Sequence, residues 1–476
     1  MTEHDVVARG PSNDGPEAER GVDTDELPLL TRLNARGFRL VQLADTVVLY
    51  GVMVGTMFVR FGTEWPDYPV PLYLFSFAIS TAIFLTTLYF GGMYEREPRL
   101  GYPPALPRAM RQTLAAGGLV ALLNLAATGA ARELGISTER ALPMPITNLV
   151  ILIVGGALLV TANRRLVHWW RYQREGPTKV FLLGSPENLR LARAHLIHES
   201  RAEVVGEASG TESLLEDVEV SEATDVLLLS GRWIDELYPD LMTAFEYRGI
   251  VVLQRVSASE TMYGLERVRE IGGLPFVLLR LHAMPLSRER FKRFNDLVLV
   301  AAAAPVWLPL LVLTALYVLL VAGRPILYRQ ERVGAQGRTF MMLKFRTMVR
   351  DAELVTGPKL ADEDDPRILK GCNWVRRTRF DELPQIINVL RGEMSLVGPR
   401  PERPELTRDF ERAIPGYARR HEISPGLTGL AQVQGRYHTD PEYKLGYDLQ
   451  YLVNWSPVLD LEILLRTVWV VVTGRI

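Results

Sequence analysis

Four long apolar stretches crowd the first third of the chain, at Leu40 to Val59, Leu72 to Met93, Thr113 to Ala131 and Ile146 to Ala162. Each approaches the ~20 residues a helix needs to cross the hydrocarbon core of a bilayer. Gly117, Gly118 and Asn124 interrupt the third, which alone would read as a buried soluble helix; beside the other three it reads as part of a membrane bundle spanning 31–175. Basic residues set the orientation. Arg32, Arg36 and Arg39 precede the first stretch, Arg96, Arg99, Arg108 and Arg111 separate the second from the third, and Arg164, Arg165, Arg171 and Arg174 follow the fourth. The other two loops hold only Arg60, Arg132 and Arg140, so both ends of the bundle are expected on the cytoplasmic side of the inner membrane. Residues 1–30, rich in Asp, Glu, Gly and Pro, are predicted to be a disordered tail, and no secretory signal pattern opens the chain.

From about 176 to 283 the texture becomes α/β. Val180–Leu183, Asp225–Leu229, Ile250–Leu253 and Phe276–Leu279 read as buried strands of a parallel sheet, making a Rossmann-like domain. Its first turn, Gly184-Ser185-Pro186-Glu187-Asn188, lacks the further glycines that let a pyrophosphate approach the backbone. A structural or regulatory role is expected instead of cofactor binding. His195 and His198 share a helix face but have no further ligands nearby, so a solvated face is expected, not zinc.

Leu297 to Ala322 is apolar for 26 residues, yet Arg288, Arg290, Lys292 and Arg293 precede it and Arg324, Arg329, Arg332 and Arg338 follow. Two basic flanks both prefer the cytoplasmic side, and Pro305 and Pro309 supply kinks, so the segment 297–322 is predicted to enter one leaflet, bend near Pro305 and return. The rest, within 284–476, is expected to be a mixed α/β catalytic domain on the membrane surface. Leu461 to Val472 is too short to cross and is expected to be an interfacial or core-packing helix. Tyr437, Tyr443, Tyr447, Tyr451 and Trp455 suit either headgroup level or the core.

Within that region Leu383, Ile386, Ile387 and Leu390 recur at helical spacing, with Asp381 at the N-cap position, Pro384 in the first turn and Gly392 as the stop. An acid there meets unpaired N–H groups and the positive end of the helix dipole, which suits a carboxylate that attacks a phosphate; a plain capping role for Asp381 and Glu382 is the alternative. Arg376, Arg377 and Arg379 precede the acids, Arg400 follows, and Lys344 and Arg346 lie upstream. Fixed cations with a metal ion are the standard way to lower the barrier of anion attacking anion. The near-neutral balance, −1 overall, gives no nucleic-acid footprint. The single cysteine, Cys372, forbids an intrachain disulfide, and it has no His or Asn constellation that would make it a catalytic thiol.

Taken together, Lys292-Arg293 and Asp296, Lys344-Phe345-Arg346-Thr347-Met348, Asp365-Pro366-Arg367-Ile368, Thr378, Asp381-Glu382-Leu383-Pro384-Gln385, Ser395 to Glu402 and Pro425 to Val433 resemble the bacterial sugar transferase family, the polyprenyl-phosphate hexose-1-phosphate transferases or monotopic phosphoglycosyl transferases. The order upstream resembles the family's long form. The resemblance implies that Asp381 attacks the β-phosphate of a UDP-sugar, that undecaprenyl phosphate then displaces it, and that glucose or galactose 1-phosphate is the cargo for exopolysaccharide, capsule or O-antigen synthesis. Glu382 would help hold Mg²⁺, with Asp381, or accept a proton; Lys344, Arg346, Arg376, Arg377 and Arg400 would face phosphate oxygens. A homodimer is implied as well. The family commonly has Ser before the bend proline where this chain has Ala304, so the bend is expected to be held by packing alone. Two rivals differ by class. A metal-dependent glycosyltransferase releasing UDP could use Asp362-Glu363-Asp364, and a membrane nucleotide-sugar epimerase or dehydratase would need a Tyr-x-x-x-Lys pair, which the chain lacks.

Overall fold

The computed structural model describes residues 40–476 apart from 66–67, 96–99, 101–104, 134–143, 198, 200, 258–259, 261–267, 280–283, 350–364, 435–439 and 474–476. The predicted tail, His198, Asp362-Glu363-Asp364 and Tyr437 lie outside the described residues.

Helices α1 (Leu40–Phe61), α2 (Val70–Phe90), α3 (Ala105–Glu133) and α4 (Ile146–Glu175) pack through Leu49, Met53, Phe77, Phe84, Ala116, Leu152 and Val160. Each is long and apolar enough to cross a membrane, as is Ala304–Ala322, making five among the described residues, and the protein is membrane-associated. The glycines expected to interrupt the third segment do not. Gly117 lets α3 approach α4, since a Cβ there would lie 2.4 Å from Ile153 Cδ1. The bundle also buries an ion pair, Arg164 Nη2 to Asp45 Oδ2 at 2.7 Å, joined by the Tyr94 hydroxyl donating to Asp45 Oδ2 at 2.9 Å.

Helix α4 runs almost directly into a six-stranded sheet of β1 (Thr178–Leu183), β2 (Ala202–Ala208), β3 (Asp225–Leu228), β4 (Val251–Arg255), β5 (Arg269–Ile271) and β6 (Leu274–Leu278), in the order β2-β1-β3-β4-β6-β5. The helices between are α5 (Pro186–Leu196), α6 (Leu214–Val220), α7 (Trp233–Leu237) and α8 (Asp240–Tyr247). β1, β3 and β4 are parallel, as expected, and β2, which was not foreseen, pairs parallel with β1. The run at Phe276 is not: β6 is antiparallel to both β4 and β5. Only Gly272 and Gly273, at φ 56° and 78°, separate β5 from β6, and so short a link can return the chain only antiparallel. β2 offered no apolar run to recognise because Glu203, Gly206 and Glu207 break it up, and at the sheet edge it has no fully buried position. Apolar clusters cover both faces of the sheet.

The following apolar stretch is two helices, α9 (Leu286–Ala302) and α10 (Ala304–Ala322), broken at Ala303, with Pro305 in the first turn of the second and Pro309 inside it. The break falls where Pro305 predicts it. Packing alone does not hold it: the Trp307 indole donates to the Val300 carbonyl at 2.8 Å, so a side chain from the far side of the break supplies a bond that Ala304 cannot. Helix α9 leans on the bundle, with Phe291 stacked on Phe90 at 4.9 Å and Arg290 donating to the Tyr89 hydroxyl at 2.8 Å.

Beyond α10 come an antiparallel hairpin, β7 (Leu327–Val333) with β8 (Thr339–Phe345), then α11 (Asn373–Arg377), α12 (Gln385–Arg391), β9 (Ser395–Val397), α13 (Pro404–Ala413), β10 (Gly426–Thr428) parallel to β9, α14 (Leu430–Gln434), α15 (Pro441–Asn454) and α16 (Pro457–Thr473). A buried polar network ties α9 to this region. Lys292 Nζ lies 3.0 Å from Asp460, which also accepts from Tyr451 at 2.6 Å and Trp455 at 2.9 Å, while Ser395 donates to Asp296 at 2.7 Å. Tyr451 and Trp455 are therefore core residues, while Tyr443 is exposed. α16 turns Val458, Leu461, Leu465, Val468 and Trp469 outward.

Candidate active site

The site begins where β8 ends. In a strand successive side chains alternate in direction, so Leu343 and Phe345 enter the core and Lys344 points the other way. Helix α11 then delivers the chain to Arg379, which adopts the left-handed conformation at φ 60°, and a 3₁₀ turn over Phe380–Glu382 follows. Asp381 and Glu382 both sit in that turn and both are buried. The expected N-cap role of Asp381 is overturned. Helix α12 starts at Gln385 with Pro384 at its N-cap, because the tight turn closes before Leu383 and leaves the acids outside the α-helix. The expected stop is present, Gly392 being left-handed at φ 86°. The expected apolar face is rotated: α12 buries Gln385, Ile386, Asn388 and Val389, while Leu390 is exposed. Asn388 turns inward because it ties α12 to β8, accepting from Leu343 N at 3.0 Å and donating to Met341 O at 2.8 Å.

Glu382 Oε1 gathers cations: Lys344 Nζ at 2.8 Å, Arg400 Nη2 at 3.4 Å and Arg379 Nη1 at 3.6 Å. Burial works against its charge, but Lys344, Arg400 and Arg379 together outweigh burial and hold its carboxyl far below the usual carboxylate range. Asp381 moves the other way. Burial first, then the charge of Glu382, pushes its carboxyl up to about 6, against the pull of Lys344, Arg376 and Arg379. Two neighbouring acids are thus driven apart in protonation by their surroundings, a pattern concentrated at functional sites. Asp381 Oδ1 is buried without a hydrogen-bond partner in the protein. Such an orphaned acceptor is unfavourable unless a substrate or cation completes it.

Of the residues predicted to face phosphate, Lys344 and Arg400 meet at Glu382, and Arg376 is near enough to act on Asp381 while Nη1 donates to Thr347 Oγ1 at 3.5 Å. Arg377 is exposed at the end of α11. Arg346 goes elsewhere: its guanidinium donates to the carbonyls of Pro325 at 2.8 Å, Gly323 at 3.2 Å and Ala322, fastening the end of α10 to β8. Arg379 joins the cluster although the predicted set omitted it; its place two residues before Asp381 was the available signal.

Arg400 reaches the cluster because three glycines let backbones meet. A Cβ on Gly398 would lie 2.5 Å from Ser424 O, one on Gly426 2.1 Å from Gly398 N, and one on Gly429 2.2 Å from Gly398 O. The Ser395–Glu402 and Pro425–Val433 motifs are therefore one packed unit, with β9 and β10 side by side. Asp381 and Glu382 could hold a divalent cation, and the unpartnered Asp381 oxygen fits such a ligand. Among the described residues no group of three His, Cys, Asp or Glu comes together, so water and substrate phosphate oxygens would complete the shell, as suits Mg²⁺.

Residues 287–474 match the family model described as Bacterial sugar transferase. A UDP-N-acetylgalactosamine-undecaprenyl-phosphate N-acetylgalactosaminephosphotransferase of Aeromonas hydrophila is 38% identical over 186 residues, 38% of this chain and 44% of that protein. A UDP-glucose:undecaprenyl-phosphate glucose-1-phosphate transferase of Escherichia coli is 39% identical over 212 residues, 43% of this chain and 45% of that one, so the match spans less than half of these two relatives. A protein of the same name from Caulobacter vibrioides is 42% identical over 184 residues, 37% of this chain but 68% of its own length. With most of that relative matched, and with acids, cations and glycine-packed turns all inside the matched span, the chain belongs to the bacterial sugar transferase family.

Proposed function

We propose that this protein transfers a hexose 1-phosphate from a UDP-sugar to undecaprenyl phosphate at the cytoplasmic face of the inner membrane, starting a polysaccharide repeat. The observation that carries the proposal is a buried carboxylate oxygen of Asp381 with no protein partner, beside three cations gathered on Glu382. Asp381 Oδ1 attacks the β-phosphorus of the UDP-sugar, the bond from that phosphorus to the bridging oxygen breaks, and UMP leaves with the electron pair. A phosphate oxygen of undecaprenyl phosphate then attacks the same phosphorus and returns the carboxylate to Asp381. Covalent catalysis divides one anion-on-anion displacement into two. Lys344, Arg379 and Arg400 offset phosphate charge, and Glu382 fixes those cations in place. So strongly paired a carboxylate is a poor proton acceptor, which favours this anchoring role over that of a base. Mg²⁺ held by Asp381 and Glu382 would supply further positive charge to the phosphate oxygens.

The broken pair α9 and α10 serves as a re-entrant hairpin through which the lipid phosphate reaches the site. A straight helix over 293–322 would be about 43 Å long. Yet the two arms reach one soluble unit: Arg293 donates to the carbonyls of Val389 and Leu390, and Tyr317 donates to Gly371 O at 2.9 Å. The six-stranded unit is Rossmann-like and has a structural or regulatory role. Glucose and galactose remain the proposed cargoes, and the names of the relatives add N-acetylgalactosamine to the candidates.

The test incubates membranes containing the full chain with a panel of UDP-sugars and undecaprenyl phosphate. UMP release and a lipid product heavier by a sugar phosphate are expected. Release of UDP would overturn the proposal in favour of sugar transfer.

A further inference from the structure

The Arg400 side chain is two-fifths exposed and lies 3.4 Å from Glu382 Oε1, so a long, mobile group must be aimed from its backbone. That backbone has few means of its own. Pro399 and Pro401 flank Arg400, and neither has an N–H to lend to a ladder. The segment is held by its carbonyls instead. The Arg400 carbonyl accepts from Arg420 Nη2 at 3.0 Å, the Pro401 carbonyl from Arg332 Nη1 at 3.1 Å, and the Glu402 carbonyl from Val333 N at 2.9 Å.

Arg420 is the most deeply placed of these donors, only 4% exposed. Its Nε and Nη2 lie 3.0 Å and 2.8 Å from Asp448 Oδ2, and Nη1 donates to the Tyr417 hydroxyl. Apolar residues of similar volume would fill such a site with equal or greater stability, so the charge pair is poorly explained as a stability device. A guanidinium does what they cannot: its fixed fork meets a carboxylate and a hydroxyl while one N–H remains for the Arg400 carbonyl. The same turn carries a second constraint. Gly416, at φ 74°, sits against the Tyr238 hydroxyl, which donates to the Pro415 carbonyl at 3.4 Å, so the six-stranded unit abuts the residue before Tyr417.

We propose that Arg420 is a positioning residue which, aimed by Asp448 and Tyr417, holds the Arg400 carbonyl so that the Arg400 side chain faces the Glu382 cluster and the donor diphosphate. The role of Arg400 toward that diphosphate rests on the phosphosugar-transfer reading; the grip on its backbone does not.

The experiment compares wild type, Arg420→Lys, Arg400→Ala and the double variant, using UDP-glucose and UDP-galactose with undecaprenyl phosphate. Amide exchange of the peptide spanning 398–406 is followed in parallel. Arg420→Lys keeps the charge but loses the fork. It should lower kcat/KM by about tenfold to a hundredfold, raising KM for the UDP-sugar more than that for the lipid. It should speed exchange in 398–406 and leave 287–300 unchanged. In the Arg400→Ala background Arg420→Lys should change the rate by less than about twofold, because residues acting through one another are not additive. Independent, multiplying losses, or unchanged exchange in 398–406, or exchange raised evenly across 287–474, would overturn the proposal. If Arg420→Lys does not fold, Asp448→Asn is judged by the same three readings. If wild type releases no UMP from either UDP-sugar, the phosphosugar-transfer reading for these donors fails, and exchange in 398–406 alone decides whether Arg420 holds the segment.

Discussion

Between Thr178 and Leu278 the buried side chains are nearly all apolar, and Asp225 is the one buried ionisable group among the described residues. Between Leu286 and Thr473 the interior holds Lys292, Asp296, Arg346, Asp381, Glu382, Arg420, Asp448 and Asp460. Both regions are mixed helix and strand, so the difference is not one of fold class. Apolar burial is the main favourable term in folding, whereas a buried charge pair seldom improves on a packed apolar core. The six-stranded unit is accordingly built to hold a shape. The C-terminal region gives up some stability to hold charges in fixed positions, which is the condition for electrostatic catalysis.

Four substitutions test how far the two regions differ. The largest expected effect is at Asp381. Asp381→Asn should reduce UMP release to background, a loss on the order of 10⁴-fold or more, and also raise the unfolding temperature at pH 8 without divalent cations. The sign follows from the carboxyl rising from its ordinary 3.8 to about 6 on folding. The folded state favours the protonated form, so this contribution to stability is complete below pH 4 and is lost as pH climbs through 6. The advantage of the Asn variant in thermal melts should therefore be present at pH 8 and absent at pH 4. Lower stability of that variant at pH 8 would remove the claim that this charge is strained.

Lys292→Met leaves Asp460 and Asp296 buried without their cation and should cost about 3–5 kcal/mol, seen as a lower unfolding temperature. Leu227→Ala, in the sheet core, should cost about 2–5 kcal/mol by leaving a cavity, with UMP release per folded molecule unchanged. A fall in that specific rate would show that the sheet unit takes part in turnover. Trp307→Phe, which removes the indole bond to Val300, should cost about 1 kcal/mol and lower lipid-dependent turnover more than hydrolysis of the donor.

Much of this was legible along the chain, and for local reasons. Apolar length alone marked all five long helices, Pro305 marked the break between α9 and α10, and Gly392 marked the end of α12. Asp381 and Glu382 stood out beside their cations. Misreadings fell where a residue's role depends on remote partners. Periodicity assigned Leu390 to the buried face of α12, but Asn388 has β8 to bridge and turns inward. Arg346 read as a phosphate ligand because its neighbours in the motif are basic, yet the end of α10 supplies carbonyls that engage it. The strand at Phe276 read as parallel because its composition matches the others, while the Gly272-Gly273 turn reverses it.

What the order of residues settles by itself is whatever a short window can express: where the chain is greasy enough to enter a bilayer, where proline or glycine ends a helix, and which acids stand next to which bases. Which of those bases surrounds Glu382, which face of α12 is inside, and how Arg420 comes to grip a carbonyl twenty positions upstream were decided only when distant segments closed on one another. Hydrogen bonds and ion pairs act over a few ångströms, so their partners are defined by position in space and not by distance along the chain.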